Sequence, residues 1–209
     1  MYIPALFKMQ DTDEMVQFIR QNSFGIMFSQ VGGHPFATHV PMLIRQVNPQ
    51  TSILLGHVAK ANPHWKELDG AEVLVVFPGP HAYISPSWYV EKQAVPTWNY
   101  VAVHVMGQCR IIRDKLELHQ LLADTVHFFE PDSPLLNALD EDVYVKMENS
   151  IVGFEIAVTA MEGKAKLSQN KSAASIQGVI DGLQQSQDCE AGVLSRLMQR
   201  DGDAVGGNE

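Results

Sequence analysis

The chain is poor in cysteine, and the two cysteines that it has suit neither a disulfide framework nor a metal site. Cys109 and Cys189 lie far apart in the sequence and form no C-x-x-C pair, and neither stands at a metal-ligand spacing with any of the eight histidines. This usage argues against a small disulfide-stapled fold and against a cysteine-based zinc site. We expect both thiols to be reduced.

Positive charge and long apolar runs are also scarce. The chain has 15 Lys and Arg residues against 24 Asp and Glu residues, a formal net charge of -9, which argues against the broad basic surface that nucleic-acid binding uses. A role on DNA would have to be local or indirect. No stretch approaches the length that spans a bilayer, and residues 1–8 lack a basic region followed by a long apolar core. We expect a cytoplasmic protein that does not bind membranes.

Apolar residues follow two different periods along the chain, which predicts an α+β protein. They alternate in several short segments, as in strands, and recur at helical spacing in others. Strands are predicted at 25–29, 37–44, 52–58, 72–77, 97–112 and 151–158, and helices at 12–21, 115–130 and 141–147, with two more from about residue 172. Six or more short strands followed by helices predict a small antiparallel barrel with helical additions. The length of 209 residues fits one domain over 1–200, and the polar, glycine-rich segment 201–209 is expected to be disordered.

Prolines and glycines mark three places where this pattern should be disturbed. Pro41 cannot donate to a strand ladder, so it indicates an edge strand or a bulge. The run from Pro78 to Pro80 is expected to end the strand before it. Gly178 and Gly182 fall within a C-terminal helix, and each weakens it by roughly 1 kcal/mol relative to alanine. That helix is therefore expected to need support from tertiary contacts or from a partner.

Against this acidic background, residues 164–171 concentrate hydrogen-bond donors. The segment Lys-Ala-Lys-Leu-Ser-Gln-Asn-Lys holds three lysines, a hydroxyl and two side-chain amides, and a helix beginning near Ser172 would add unpaired backbone N–H groups. These are the groups that bind phosphate. The alternative is a solvated loop with ordinary surface lysines, which this segment by itself would favour.

A second donor-bearing segment shifts that balance. Residues 57–65, His-Val-Ala-Lys-Ala-Asn-Pro-His-Trp, stand at the end of another predicted strand, far from the first segment in sequence. Because a fold can bring two distant strand ends together, both segments can converge on one phosphorylated ligand.

Five sequence blocks, in order from the first residue to about residue 180, carry a family resemblance. They are Met1-Tyr2-Ile3-Pro4, Thr38-His39-Val40-Pro41, Gly56-His57-Val58-Ala59-Lys60-Ala61-Asn62-Pro63, Val95-Pro96-Thr97-Trp98-Asn99-Tyr100 and Lys166-Leu167-Ser168-Gln169-Asn170-Lys171. Together they resemble the PaiB family, whose members are FMN-binding negative transcriptional regulators. The resemblance implies an antiparallel split β-barrel related to pyridoxamine phosphate oxidases, with peripheral and C-terminal helices. It also implies a homodimer with FMN at the subunit interface.

The same resemblance implies which residues hold the cofactor. His57, Lys60 and Asn62 are expected at the ribityl phosphate, and the segment around His39 along the edge of the flavin ring. Residues 98–100 are expected to approach the ring from the partner subunit, and residues 166–169 to contact the ligand or the interface. The cofactor residues predicted in this way are Thr38, His39, Val40, His57, Val58, Lys60, Asn62, Trp98, Asn99, Tyr100, Lys166, Ser168 and Gln169. No catalytic or metal-binding residue is predicted.

Three functions remain open from the sequence. A flavin-binding regulator would alter transcription through flavin occupancy or redox state, although no helix-turn-helix pattern or basic stripe is evident. An FMN-dependent oxidoreductase acting on NAD(P)H or a small molecule would need no obligatory catalytic side chain, since the flavin carries the chemistry. The third possibility is a flavin-free scaffold or a haem-binding protein, with His39 or His57 as an axial ligand.

Overall fold

The computed structural model describes residues 1–48, 51–91, 93–134 and 141–206, with side chains everywhere in these ranges except 141–144 and 201–206. The strands are β1 (Lys8–Met9), β2 (Phe24–Val31), β3 (His34–Asn48), β4 (Thr51–Ala59), β5 (Glu72–Ile84), β6 (Thr97–Ile111) and β7 (Ile151–Lys166). The helices are α1 (Thr12–Gln21), α2 (Lys115–Phe129), α3 (Glu141–Asn149), α4 (Ala173–Gln184) and α5 (Ala191–Gly206). Three short 3-10 helices lie at Ala5–Phe7, Pro63–Glu67 and Pro86–Trp88.

The strands form one antiparallel sheet that closes on itself. Its order is β1-β7-β4-β3-β2-β5-β6, and β6 also pairs with β7, so β2 to β7 make a closed ring to which β1 is added. Closure gives each strand of the ring a partner on both sides over part of its length, and so covers most of the edges that an open sheet would expose. The predicted α+β antiparallel barrel is confirmed.

The chain divides into two compact units. One, here called the barrel unit, comprises Thr12–Phe77 and His104–Met161, and the other, the helical unit, comprises Met1–Asp11, Pro78–Val103 and Glu162–Glu209.

The barrel unit is held together by side chains that point to one face of each strand. In β7, Phe154 and Ile156 alternate with more exposed neighbours and are fully buried, as the period-two pattern predicts. A smaller cluster joins helix α2 to the sheet, since Leu121 packs with Leu43, Leu55 and Ile112. The predicted apolar face of α2 is therefore confirmed. Asp114 caps this helix by accepting a hydrogen bond from the Glu117 backbone N–H.

In the helical unit, helix α4, which contains Gly178 and Gly182, is supported by packing against Trp88. A side chain at Gly182 would meet the Trp88 ring at 2.3 Å, and one at Gly178 would meet the Trp88 carbonyl oxygen at 2.2 Å. Only glycine therefore lets Trp88 lie directly on α4. The apolar stripe of this helix is buried at Val179, Ile180 and Leu183.

The two expectations drawn from strand prolines have different outcomes: the one for Pro78 to Pro80 is wrong, and the one for Pro41 holds locally, because Pro41 has a ladder partner on one side only. Strand β5 does not stop at Phe77 but continues through Pro78 and Pro80 to Ile84. The two prolines are two residues apart, so both lack a backbone donor on the same edge of the strand. Pairing of β5 with β2 has already ended at Val76, so these missing donors break no bond to β2. Pro41 lies in β3, an interior strand, at the last position paired with β2. Pairing with β4 begins one residue later, at Met42.

The end of the chain also differs from the expectation of a disordered tail. Helix α5 runs to Gly206 and thus takes in 201–206. Residues 207–209 lie outside the described part of the chain.

Candidate functional site

In the barrel unit, the first half of β3 has one unpaired edge. Residues 34–41 pair with β2, whereas pairing with β4 starts only at Met42. Across the described strands, the β4-side edge of this half has no ladder partner. Backbone groups of successive strand residues point to opposite edges. The Met42 N–H donates to the Ser23 carbonyl oxygen on the β2 side, so Thr38 and Val40 direct their backbone groups to β2, and His39 directs its N–H and C=O groups to the open edge. The Val40 side chain is buried.

The strand β4 ends in a tight turn next to this edge. The Asn62 N–H donates to the Ala59 carbonyl oxygen at 2.9 Å, and the Lys60 N–H donates to the Ser150 carbonyl oxygen at 2.8 Å. The turn from Ala59 to Asn62 ends the regular alternation of side chains at Lys60. That Lys60 and His57 serve one phosphate stays a prediction.

Within residues 57–62, Lys60 supplies the positive charge. Its exposed ammonium makes one long contact, 3.5 Å to the Asn149 carbonyl oxygen, and so retains donors for an anion. His57 is half-buried, and burial lowers its pKa from the usual value of 6.5. At neutral pH, His57 is therefore a neutral donor or acceptor rather than a cation.

Thr38 and Asn62 belong to a polar network around a buried histidine. The His64 ring is fully buried, with Nε2 at 2.7 Å from Ser29 Oγ and Nδ1 at 2.8 Å from Thr38 Oγ1. Asn62 Nδ2 donates to Thr38 Oγ1 at 3.1 Å, and Asn62 Oδ1 accepts from the His64 backbone N–H at 3.0 Å. The network joins the open edge of β3 to the turn after β4. Sequence reasoning did not predict the role of His64. The only sequence feature that points to it is the Asn62-Pro63 pair, which is typical of a helix start and places His64 in the first turn.

We predict that the titration of His64 makes the protein less stable in mild acid. Burial lowers the pKa of His64 from 6.5, so the unfolded chain binds this proton first. The stabilising contribution is then complete above pH 6.5 and is lost as the pH falls below that value toward the folded pKa. Urea unfolding at about pH 7.5 and about pH 5.5 measures the loss. The loss of unfolding free energy between the two pH values should be smaller in His64→Gln, because glutamine does not titrate.

His57 is a necessary control, because burial lowers its pKa in the same direction. The variant His57→Gln should remove only the share of the acid sensitivity that belongs to His57. If His64→Gln loses as much stability as the wild type between the two pH values, the titration of His64 contributes nothing.

In the helical unit, the lysine-rich segment is engaged in internal contacts. Gln169 closes its own turn, since Oε1 accepts from the Leu167 N–H at 2.8 Å and Nε2 donates to the Ala165 carbonyl oxygen at 2.7 Å. Ser168 is buried, has a left-handed backbone at φ 68°, and accepts a hydrogen bond from Asn99 Nδ2 at 2.9 Å. Lys166 Nζ donates to Thr97 Oγ1 and, at 2.9 Å, to the Trp98 carbonyl oxygen. Much of the predicted donor set thus stabilises the junction between β7 and α4.

The same unit contains an open cavity of about 350 Å³. Its walls are largely apolar and aromatic, and the Trp98 ring, which is 51% exposed, lies 6.1 Å from the His81 ring and 6.2 Å from the Tyr83 ring between centroids. Asn99 points into the core instead, where its Oδ1 has no hydrogen-bond partner. The residues that line the cavity are Pro78, Gly79, His81, Trp98, Tyr100, Val101 and Ala102.

The structure therefore groups the predicted site residues into two sets. In the barrel unit the set lies along the open edge of β3 and the end of β4, and in the helical unit it lies where β6 begins and β7 ends. The convergence of both sets on one ligand stays a prediction. The first set is Thr38, His39, Val40, His57, Val58, Lys60 and Asn62, and the second is Trp98, Asn99, Tyr100, Lys166, Ser168 and Gln169.

The described residues contain no group of three or more His, Cys, Asp or Glu side chains placed to hold a metal ion. No helix among them is long and apolar enough to cross a membrane.

Comparison with known proteins shows the family and the fold. Residues 1–160 match the family model described as "Putative FMN-binding domain". The chain is 38% identical over 203 residues to the Bacillus subtilis (strain 168) protein named Protease synthase and sporulation protein PAI 2, covering 95% of this chain and 97% of that protein.

Two solved structures share the fold at low sequence identity. The flavocytochrome Anf3 from Azotobacter vinelandii has a TM-score of 0.62 at 14% identity and covers 76% of this chain and 69% of its own. The FAD- and heme-binding protein from Mycobacterium smegmatis has a TM-score of 0.59 at 15% identity and covers 81% of this chain and 78% of its own.

Proposed function

Because this chain belongs to the PaiB-type family of FMN-binding split-barrel proteins, we propose that it is a homodimeric negative regulator of transcription whose activity depends on bound FMN. The observation that carries the flavin site is the junction of the open β3 edge with the turn after β4, which the hydrogen bond from Asn62 to Thr38 holds in place at 3.1 Å.

The residues at this junction fit the chemistry of FMN. A flavin ring presents alternating donors and acceptors, and the backbone N–H and C=O groups of His39 on the unpaired strand edge can meet one of each. The ribityl phosphate needs positive charge and N–H donors, which the exposed Lys60 and the neutral His57 can supply. FMN bound there would supply hydride or electron chemistry. Gln169 and Ser168 are already engaged internally, so we assign the phosphate to Lys60 rather than to their turn.

The absorbance spectrum of the purified protein tests the flavin proposal. Flavin bands that remain after desalting, or that appear on addition of FMN with saturation at one per chain, are the expected result. A Soret band would instead indicate the haem-binding alternative. If both bands are absent and added FMN is not taken up, the protein is a flavin-free scaffold.

The regulatory half of the proposal is supported by family membership and by the name of the Bacillus subtilis relative, which refers to protease synthesis and sporulation. The net charge of -9 opposes direct binding to DNA. We therefore propose that repression acts through a protein partner. A gel shift at low salt should show no DNA binding in either flavin redox state, and a salt-sensitive shift with the purified protein would overturn the partner mechanism.

The dimer is supported by aromatic side chains left exposed in the helical unit. Trp98 and Tyr83 are 51% and 47% exposed, respectively, and lie next to each other, and aromatic residues are enriched in protein interfaces. Light scattering after gel filtration should give twice the chain mass of 23.2 kDa. If FMN lies at the interface, dilution that dissociates the dimer should also release flavin. A monomer that keeps its flavin would contradict the interface site.

An FMN-dependent oxidoreductase is the second candidate, and the cavity beside Trp98 and Tyr100 favours it. An apolar cavity of about 350 Å³ has room for a small substrate. This function predicts oxidation of NAD(P)H or reduction of a small acceptor by the flavin-loaded protein. A flavin-loaded dimer that is inert across a broad substrate panel would leave the regulator as the better explanation.

A further inference from the structure

Side chains, rather than a backbone ladder, join the first half of β3 to the turn after β4. Ladder pairing between the two strands ends at Met42 and Gly56, and the backbone of the turn is bonded to the Ser150 carbonyl oxygen instead. Among the hydrogen bonds of the described residues, the two that reach this half of β3 from residues 60–64 both end on Thr38 Oγ1. The width of the gap between the strands therefore depends on these two bonds and on the packing around them.

His64 lies at the centre of this connection. Its ring is fully buried, with Nδ1 at 2.8 Å from Thr38 Oγ1 and Nε2 at 2.7 Å from Ser29 Oγ on β2. The Phe36 ring packs edge-on against it, with 4.9 Å between centroids. The amide of Asn62 donates to Thr38 Oγ1 and accepts from the His64 backbone N–H. The polar side chains of this group, here called the His64 clamp, are Ser29, Thr38, Asn62 and His64.

The donors and acceptors of the clamp suit a neutral His64 and not a protonated one. A neutral imidazole has one N–H donor and one acceptor nitrogen, so one of its hydroxyl partners donates to the ring and the other accepts from it. An imidazolium has two donors and no acceptor. Because Thr38 Oγ1 already accepts from Asn62, protonation places two donors on this oxygen. It also leaves one hydroxyl hydrogen of the clamp without the ring as its acceptor.

The surroundings of His64 offer a cation no counter-charge. Strand β2 has no titratable side chain. The titratable side chains on the first half of β3 and on the short helix that contains His64 are all exposed, and they are His34, His39, Lys66 and Glu67. The Glu67 carboxylate accepts from the Gly32 N–H at 2.9 Å, and the histidine–carboxylate ion pairs of the described residues involve other histidines. Burial lowers the pKa of His64 from 6.5, so mild acid would place an unpaired charge inside the barrel unit.

We propose that His64 is a pH-sensitive positioning residue for flavin binding: in its neutral form it holds Thr38 and Asn62 together across the gap between β3 and β4, and its protonation loosens the gap and weakens the binding of flavin. This inference rests on the proposed flavin function, because the gap is where that site was placed. It assigns no contact with the flavin to His64, whose ring is fully buried.

The first experiment is a titration of the flavin-free, full-length protein with FMN at about pH 7.5 and about pH 5.5. Binding should be at least about threefold weaker at the lower pH, since the apparent affinity falls with the fraction of binding-competent protein. The FMN phosphate also titrates, at about pH 6, so the decisive quantity is the difference between wild type and variant.

His64→Gln is the variant, because glutamine keeps a donor and an acceptor but does not titrate. Its FMN affinity should change less between the two pH values than that of the wild type. His34→Gln is the matched control, since it removes an exposed histidine at the start of β3 and should keep the pH dependence of the wild type. An equal pH dependence in wild type and His64→Gln, or an equal reduction in both variants, would overturn the role of His64.

Two substitutions at Thr38 separate the clamp from a direct contact with flavin. Thr38→Ser keeps the hydroxyl and should keep the pH dependence. Thr38→Val keeps the shape of the side chain without the hydroxyl, so it should weaken FMN at about pH 7.5 and lose no more affinity on acidification than His64→Gln does. If Thr38→Val weakens FMN but retains the full pH dependence, Thr38 acts on the flavin directly and the clamp is overturned.

The wild-type protein gives a reciprocal test. If protonation of His64 weakens FMN binding, linkage requires that bound FMN lowers the pKa of His64 by the corresponding factor. Nuclear magnetic resonance of protein labelled with ¹⁵N-histidine, titrated with pH in the presence and absence of saturating FMN, measures this shift. The His64 signals are those that disappear in His64→Gln. A pKa of His64 that is unchanged or raised by FMN would overturn the inference.

The same titrations separate this inference from the proposed function. No uptake of FMN at either pH would overturn the flavin function itself, and the role of His64 with it. Uptake of FMN with a pH dependence that His64→Gln does not change would leave the flavin function standing and overturn only the role of His64.

Discussion

Replacing Gly107 with alanine should lower the free energy of unfolding by about 1–3 kcal/mol, the usual cost of overpacking a close contact. A Cβ atom at this position would lie 2.4 Å from the Ala157 carbonyl oxygen and 2.6 Å from the Ile156 side chain. Because β6 and β7 must approach here to close the ring of strands, and a backbone atom is in the way, the barrel can accommodate the methyl group only by moving one strand away from the other. Urea unfolding of the two proteins measures the difference.

Gly192→Ala is the matched control for this substitution. Its new methyl group would meet nothing nearer than the Arg196 side chain at 3.8 Å, and it lies in helix α5. Alanine there should be neutral or stabilising by about 0.4–1 kcal/mol, since it restricts the unfolded chain. Equal stability of Gly107→Ala and the wild type would show that the β6–β7 contact can relax, and that barrel closure does not depend on glycine.

Lys60→Ala should weaken FMN binding by about 1.5–3 kcal/mol, the range for a hydrogen bond to a charged group, which corresponds to roughly 10- to 150-fold in affinity. The lysine ammonium is exposed and has one long contact, so its loss should cost the protein little stability of its own. Titration of the flavin-free protein followed by flavin fluorescence gives the dissociation constant. Riboflavin, which lacks the phosphate, should bind wild type and variant alike.

Lys66→Ala is the control, because Lys66 is also exposed and lies in the short helix that follows the same turn. It removes the same charge a few residues away and should leave FMN affinity almost unchanged. If both variants lose the same affinity, the effect is a general field and not a contact. If Lys60→Ala binds FMN as the wild type does, the phosphate lies elsewhere, and the lysine-rich segment of the helical unit becomes the next candidate.

Much of the fold was predictable because strand and helix periods are local properties. Alternation in β7 and the helical spacing in α2 depend on which face of each element meets the core, and both are confirmed. The continuation of β5 through its prolines was not predictable, since the cost of a missing donor depends on which edge has a partner. Pro41 is a similar case, because only the sheet order shows that β3 changes its pairing beside it.

The candidate site was predictable as a set of residues but not as a set of roles. Short motifs point to Thr38, Lys60 and Asn62 through family resemblance. They do not show that Asn62 donates directly to Thr38 beside a buried His64, or that Gln169 binds its own turn. A donor that is already satisfied by the protein differs from one that is free for a ligand, and sequence spacing does not distinguish them.

By itself, the sequence determined the class of fold, the acidic surface and the family of this protein, because periodicity, net charge and motif order are properties of the chain. The tertiary structure alone decided which backbone edge stays unpaired, which donors are bound inside the protein and where an aromatic cavity forms. These outcomes depend on residues that are distant in sequence and become neighbours only when the strands pair.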